Sequence, residues 1–286
     1  MHKSVIVLVI LLTLFSTQVR AEPFSVAISR PDEQSIPQRL ATDYLIKLLA
    51  ERSRGEINVE LVADADNQIK LVTLIDAANV LPQLKFLQLP FLFSDRQHLY
   101  QFLATEAGQR AFSADRQPEL IPLALWDLGF DQLVTGPEMV LSDGGISGSW
   151  QTISDMQYNA VSAQDRLLSQ LAQEQPLHAS QLILSNHRLN AIVLSVTRSF
   201  WDATPDNLKV IIMGAIKDAT LYFRELAQQE ELQSLKTLKS GTMKIYTPTP
   251  IQRKNWQTEA RETYPHAMSD ADLQLIEVIS NLAPAN

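Results

Sequence analysis

Along the first third of the chain, apolar side chains recur at every second position, then every third or fourth, then every second again. Phe24–Ser29 alternates apolar and polar residues and predicts a strand. Pro31–Pro37 predicts a loop. Leu40, Tyr44 and Leu48 then fall on one helical stripe with Ala41, Leu45 and Leu49 beside it, and Gly55 is placed to stop that helix. Glu56–Val62 alternates again, with Ile57, Val59 and Leu61 on one face. Strand, helix and strand in this order open an α/β unit. Ile69–Ile75 is a further apolar run of strand length.

Leu81–Phe93 is apolar but carries Pro82 and Pro90, so it cannot form one uninterrupted helix. Asp95–Leu103 and Glu106–Phe112 predict short helices, and Leu120–Trp126 predicts a strand. Asp143–Trp150, DGGISGSW, is glycine-rich and predicts a loop. Leu167, Leu168 and Leu171 belong to a helix that ends before Pro176. Leu182–Leu184 and Ala191–Val196 are strand-like, with the polar run Asn186–Asn190 between them. Thr204-Pro205-Asp206 supplies a capping hydroxyl, a proline and an acid at a helix start. From there Leu208, Ile212, Ile216, Ala219, Phe223 and Leu226 hold a helical stripe towards Leu238 and a stop at Gly241. Met243–Tyr246 predicts a strand. Pro250–Tyr264 and Asp270–Leu282 predict helices, the second with Ser269 and Asp272 at capping-box spacing.

The N-terminus has a different pattern. His2 and Lys3 precede the apolar run Val5–Phe15, which is followed by a polar exit with small residues at Val19 and Ala21. This predicts a secretory signal peptide cleaved after Ala21, because the run falls short of the roughly 20 apolar residues that span a bilayer. The chain has no cysteine, which excludes disulfides, a lipid-modified N-terminal cysteine and thiolate metal sites. It carries 24 Lys and Arg against 32 Asp and Glu; the segment through Ala21 holds two of those bases and no acid, so cleavage takes the net charge from −8 to −10. That balance argues against nucleic acid as a partner.

Leu84–Tyr100, LKFLQLPFLFSDRQHLY, and Leu125–Val134, LWDLGFDQLV, resemble segments of the periplasmic solute-binding proteins of TRAP transporters, the DctP-type family. Glu51–Val62, Ser185–His187, Val193–Pro205 and Arg224–Glu231 match the same family in order and spacing. The resemblance implies an α/β, two-lobed periplasmic binding protein-like fold with crossing strands and a long bracing helix. It assigns residues 1–21 to the signal peptide, 22–127 plus 211–286 to lobe I, and 128–210 to a shortened lobe II. It implies a monomer that takes up a small-molecule solute between its lobes and delivers it to a TRAP-type membrane permease, without a cofactor or metal. The alternative is a degenerate binding scaffold acting as a periplasmic protein-interaction partner.

The departures from the family gather at the ligand site. The family's first ligand arginine follows Gly-Phe; here that position is Asp131. Aligning from Gly148 puts Thr152 at the second arginine position, and Arg166 lies too far along to replace it directly. The bidentate guanidinium suited to a carboxylate is therefore missing from both positions. Segments after Val62 and before Gln181 also look deleted. The candidate ligand-binding residues are Trp126, Phe130, Asp131, Thr152 and Asn186. Enzymatic chemistry finds little support: GGISGSW does not match the nucleophile elbow, and His98, His178, His187 and His266 show no metal-binding spacing. The face Glu225–Gln233 reads as a solvated helix surface.

Overall fold

The computed structural model describes residues 23–29, 35–62, 68–112, 119–135, 163–174, 181–264 and 268–282. Their elements run in the order β1 (Phe24–Ser29), α1 (Ile36–Arg52), β2 (Ile57–Val62), β3 (Ile69–Thr73), α2 (Leu74–Val80), a 3-10 helix (Pro82–Gln88), α3 (Arg96–Ala104), α4 (Glu106–Ala111) and β4 (Leu120–Thr135). There follow β5 (Ala163–Arg166), α5 (Leu168–Glu174), β6 (Gln181–Thr197), α6 (Arg198–Ala203), α7 (Asp206–Ser240), β7 (Lys244–Tyr246), α8 (Pro250–Thr263) and α9 (Asp270–Leu282).

Parallel pairing of β1 with β2 through α1 confirms the opening α/β unit. The sheet then continues β2-β1-β3-β6-β4-β5, with β7 alongside β6. The central pair, β4 and β6, is antiparallel over nearly its whole length. One face of the sheet is covered by α1 and α7, which bury Leu45, Leu49, Ile212, Ile216 and Phe223 against Val26, Ile28 and Val196. The other is covered by the 3-10 run, α3, α8 and α9, whose core includes Phe86, Phe93, Phe102, Trp256 and Ile279. A smaller cluster of Val134, Leu168, Leu171, Leu182 and Leu238 closes the β5 end. Helix α7 has 35 residues and braces this whole arrangement; at 1.5 Å per residue it is about 52 Å long.

Several boundaries differ from the periodicity. Helix α1 begins inside the expected loop, because Ser35 and Gln38 form a capping box and Pro37 is compatible with a first turn. Strand β3 stops at Thr73, whose hydroxyl caps α2, so Leu74 and Ile75 are helical. Strand β4 extends nine residues beyond Trp126, accommodated by register shifts at Pro122/Ala124, Asp127/Gly129 and Asp131/Leu133. The two strand-like runs of 182–196 form one strand, β6, and the polar stretch between them is retained because its side chains find partners. The Thr204 hydroxyl does not cap α7. It donates back to the Phe200 carbonyl at 2.7 Å, and Pro205 occupies the cap position. The Ser269–Asp272 capping box is present, with Asp272 N donating to Ser269 Oγ at 3.3 Å and Ser269 N to Asp272 Oδ2 at 3.1 Å. The loop Asp143–Trp150 and the segment through Ala21 lie outside the described residues. Among the described residues no helix is long and apolar enough to cross a membrane.

Candidate functional site

The two segments singled out by their pattern, around Arg96 and around Trp126–Phe130, meet in the folded chain. Asp95 caps α3 through the His98 amide and so starts the helix at Arg96. The Arg96 guanidinium then bonds the Asp127 carboxylate on β4, donates to the Asp127 carbonyl at 3.1 Å, and donates through Nε to Glu231 Oε2 on α7 at 3.0 Å. Tyr100, one turn further along α3, donates to Asp127 Oδ1 at 2.7 Å. The Arg224 guanidinium lies over the Tyr100 ring at 4.1 Å. Gly129 makes the crossing possible: its φ is +116°, and a Cβ there would meet Arg96 Nη2 at 3.1 Å and Glu231 Oε2 at 3.2 Å.

Burial pushes the Asp127 carboxyl up from its ordinary range, while Arg96, Tyr100 and Arg224 pull it back. Burial also works against the Arg96 charge, but Asp127 and Glu231 outweigh it and keep the guanidinium protonated. This cluster ties α3, β4 and α7 together. The solvated-face reading of Glu225–Gln233 is thereby corrected at Glu231, which is recruited into a half-buried ion pair because Gly129 leaves room for it.

A second cluster lies further along the crossing strands. Asp131 faces Arg188 directly across the β4–β6 ladder. Arg188 donates to Asp131 Oδ2 through Nε at 3.0 Å, with Nη2 at 2.9 Å from the same oxygen. Nη2 also donates to Asp165 Oδ2 on β5 at 2.7 Å. His187 Nε2 lies 3.0 Å from Asp165 Oδ1, and His187 Nδ1 lies 2.9 Å from Ser185 Oγ. Burial opposes ionisation of Asp165, but His187 and Arg188 prevail and hold its carboxyl below the usual range.

The chain Ser185–His187–Asp165 brings together the residue types of a hydrolytic triad. Its geometry differs from a working one: Ser185 has no exposed surface, and the imidazole meets serine through Nδ1 and the acid through Nε2. No substrate can reach the Ser185 Oγ in this conformation.

The five candidate residues divide. Asp131 is 4% exposed and sits in the second cluster. Asn186 adjoins it: its φ is +45°, its amide donates to Gln132 Oε1 at 3.0 Å, and its side-chain oxygen accepts from Gln132 Nε2. Phe130 belongs to the core on the α3, α8 and α9 side, and the cavity beside it, about 10 Å³, is too small for an organic solute. Trp126 faces α7, stacked on Phe223 at 4.9 Å with its Nε1 donating to Thr220 at 2.9 Å. Thr152 lies outside the described residues. Arg166 pairs with Glu174 at 3.8 Å. Arg188 and Asp165 were not singled out by sequence. The available signal was the polar run Asn186–Asn190 interrupting an otherwise apolar strand.

Two long antiparallel strands crossing a mixed sheet, a single helix braced along it and polar clusters at the crossing define a two-lobed binding protein of the periplasmic type. The family described as bacterial extracellular solute-binding protein, family 7 (DctP) matches residues 29–141 and 151–270, and the chain belongs to it. It is similar to the C4-dicarboxylate-binding protein DctB of Bacillus subtilis, at 20% identity over 278 residues, 81% of this chain and 78% of that one. Its fold is shared with a TRAP periplasmic solute-binding protein of Ochrobactrum anthropi whose C-terminus is bound in the ligand-binding pocket, with TM-score 0.78, 16% identity and coverage of 91% and 95% of the two chains. A counterpart from Sulfurospirillum deleyianum with bound succinate gives TM-score 0.70 at 21% identity, covering 92% of this chain and 100% of that one.

Proposed function

We propose that this chain captures a small solute outside the cytoplasmic membrane, hands it to a TRAP-type permease, and selects a neutral or cationic solute rather than a carboxylate. The family membership and the shared fold support the transport role, and the pattern of Val5–Ala21 supports export. The lobes divide near the bulge at Asp127–Gly129, with residues 22–127 and 211–286 on one side and 128–210 on the other. Solute favours closure only by binding the closed arrangement more tightly than the open one.

The engagement of Arg188 carries the choice of solute. A guanidinium grips a carboxylate bidentately through one of two edges, Nε with Nη2 or Nη1 with Nη2. Asp131 takes the first edge, and Asp165 takes the remaining Nη2 donor of the second. Only Nη1 is left for a solute, while two carboxylates stand against one guanidinium. A polyhydroxylated molecule can use Nη1 and the Asn186 side-chain Nδ2, and a cationic one is further favoured by the negative charge of Asp131 and Asp165. An added carboxylate would meet repulsion.

Thermal shift of the purified protein against dicarboxylates, sugar acids, neutral polyols and amines tests this reading. A solute at 100 times its Kd stabilises by about 2.7 kcal/mol, and the expected hit is neutral or cationic and is lost in Asp131→Ala. A dicarboxylate hit abolished by Arg188→Gln would overturn the charge argument. No hit in any class would overturn solute capture itself.

A further inference from the structure

A second concavity of about 570 Å³ shares no lining residue with the Asp131–Arg188 cluster. It lies between α3 and α4, the β4 segment Leu123–Leu125 and the first half of α7. Strand β5 pairs with β4 only at Gln132–Thr135, so among the described residues Leu123–Leu125 is flanked by β6 alone and leaves an open sheet edge at the groove. The volume falls within the roughly 300–1,000 Å³ of small-molecule sites. Leu103, Phe112, Leu125, Met213 and Leu221 make its walls largely apolar.

The groove's charges have one sign. Lys217 and Arg224 lie two turns apart on the same stripe of α7, and no acidic residue is among the described lining. Neither cation makes a contact ion pair among the described residues, although the Arg224 charge also acts on the buried Asp127 carboxylate behind the groove. The Arg224 Nε is buried without a hydrogen-bond partner, its guanidinium being held by the Tyr100 ring. The polar Thr220 hydroxyl is already committed to Trp126 and to the Ile216 carbonyl.

We propose that this groove is a second binding site, for an amphipathic monoanion of the free fatty-acid class. Its carboxylate would meet Arg224 and Lys217, and its alkyl body would lie along Leu103, Phe112 and Leu221. A hydrophilic dicarboxylate would leave its second charge against apolar walls, so the site differs in chemistry from a dicarboxylate cleft. The inference does not depend on the solute proposed above.

Isothermal titration of the purified protein with decanoate, decanol and decyltrimethylammonium tests it. Decanoate should bind with unit stoichiometry, and the other two should bind about tenfold or more weakly, the loss expected for a charge-assisted contact. Lys217 is exposed, so Lys217→Gln should leave the melting temperature unchanged while weakening decanoate about tenfold, as should Arg224→Gln in a folded variant. Absence of decanoate binding, equal binding of decanol, or indifference to both substitutions would overturn the proposal. Decanoate binding lost in Arg188→Gln would put the acid in the cleft and overturn it equally.

Discussion

Replacing Arg96 by Met separates the value of an ion pair from the cost of an orphaned charge. The substitution keeps most of the side chain's apolar stem and removes its guanidinium. Asp127 has no exposed surface and would keep the Tyr100 hydroxyl, at 2.7 Å, as its side-chain hydrogen-bond partner, with the Arg224 charge acting on it from further off. Glu231, with 33% of its side chain exposed, can turn to water instead. Breaking a buried pair from one side costs about 3–5 kcal/mol, whereas Glu231→Gln should cost about 1 kcal/mol or less. Each kcal/mol moves the melting temperature by about 2–4 °C in domains of 150–250 residues, so Arg96→Met should lower it by at least about 6 °C. Adding Asp127→Asn removes the stranded charge and should recover most of that loss. The sign with pH follows from the raised Asp127 carboxyl, which Arg96 no longer pulls down in the variant. A group raised in the folded state favours folding most below its unfolded pKa and loses that contribution as pH rises through the folded one. The variant's deficit should therefore be smaller at pH 5 than at pH 7. Urea unfolding at both values measures it. A deficit under about 1 kcal/mol at pH 7, or a double variant no more stable than the single one, would refute the orphan-charge account.

Asp165 carries the opposite sign. Its lowered carboxyl stabilises the fold above the ordinary aspartate range and loses that contribution as pH falls through it, so the stability gap between wild type and Asp165→Asn should close below about pH 4 in denaturant titrations. The Tyr264 hydroxyl is pushed up by burial and donates to the Pro90 carbonyl; its contribution is present below about pH 10 and is lost above it, so Tyr264→Phe should flatten the fall in melting temperature between pH 9 and 11. Trp126→Ala should cost about 3–5 kcal/mol by emptying its place against Phe223, while leaving the solute affinity of the folded fraction unchanged. A fall in affinity without a fall in stability would instead return Trp126 to the cleft.

Elements with a strong period were legible from the sequence. Phe24–Ser29, the α1 stripe, the Gly241 stop of α7 and the Ser269 cap all rest on residues that decide their own local structure. The misjudged boundaries have a common cause. At Thr73 and Thr204 a hydroxyl had two possible backbone partners, and sequence does not say which helix end it serves. In β4 and β6 the apolar alternation lapses because the chain bulges at Asp127 and Asp131 and because polar residues between Asn186 and Asn190 meet partners on neighbouring strands. Such partners are remote in sequence, so a half-buried polar run looks like a break in the strand.

The same remoteness governs the candidate ligand site. Strand β4 carries Asp131 where the family has its arginine, yet a guanidinium stands directly across the ladder at Arg188. Its presence does not restore a carboxylate grip, because Asp131 and Asp165 occupy the donors that grip would need. Nor can the pair simply open to admit an anion. Asp131 is almost fully buried, and freeing Arg188 would leave its carboxylate without its principal partner, a penalty that a single incoming carboxylate must first offset. A neutral hydroxyl or an ammonium group makes no such demand. If solute binds at this cluster as proposed, what it meets is set less by which charged residues are near than by which of their hydrogen-bonding edges remain open.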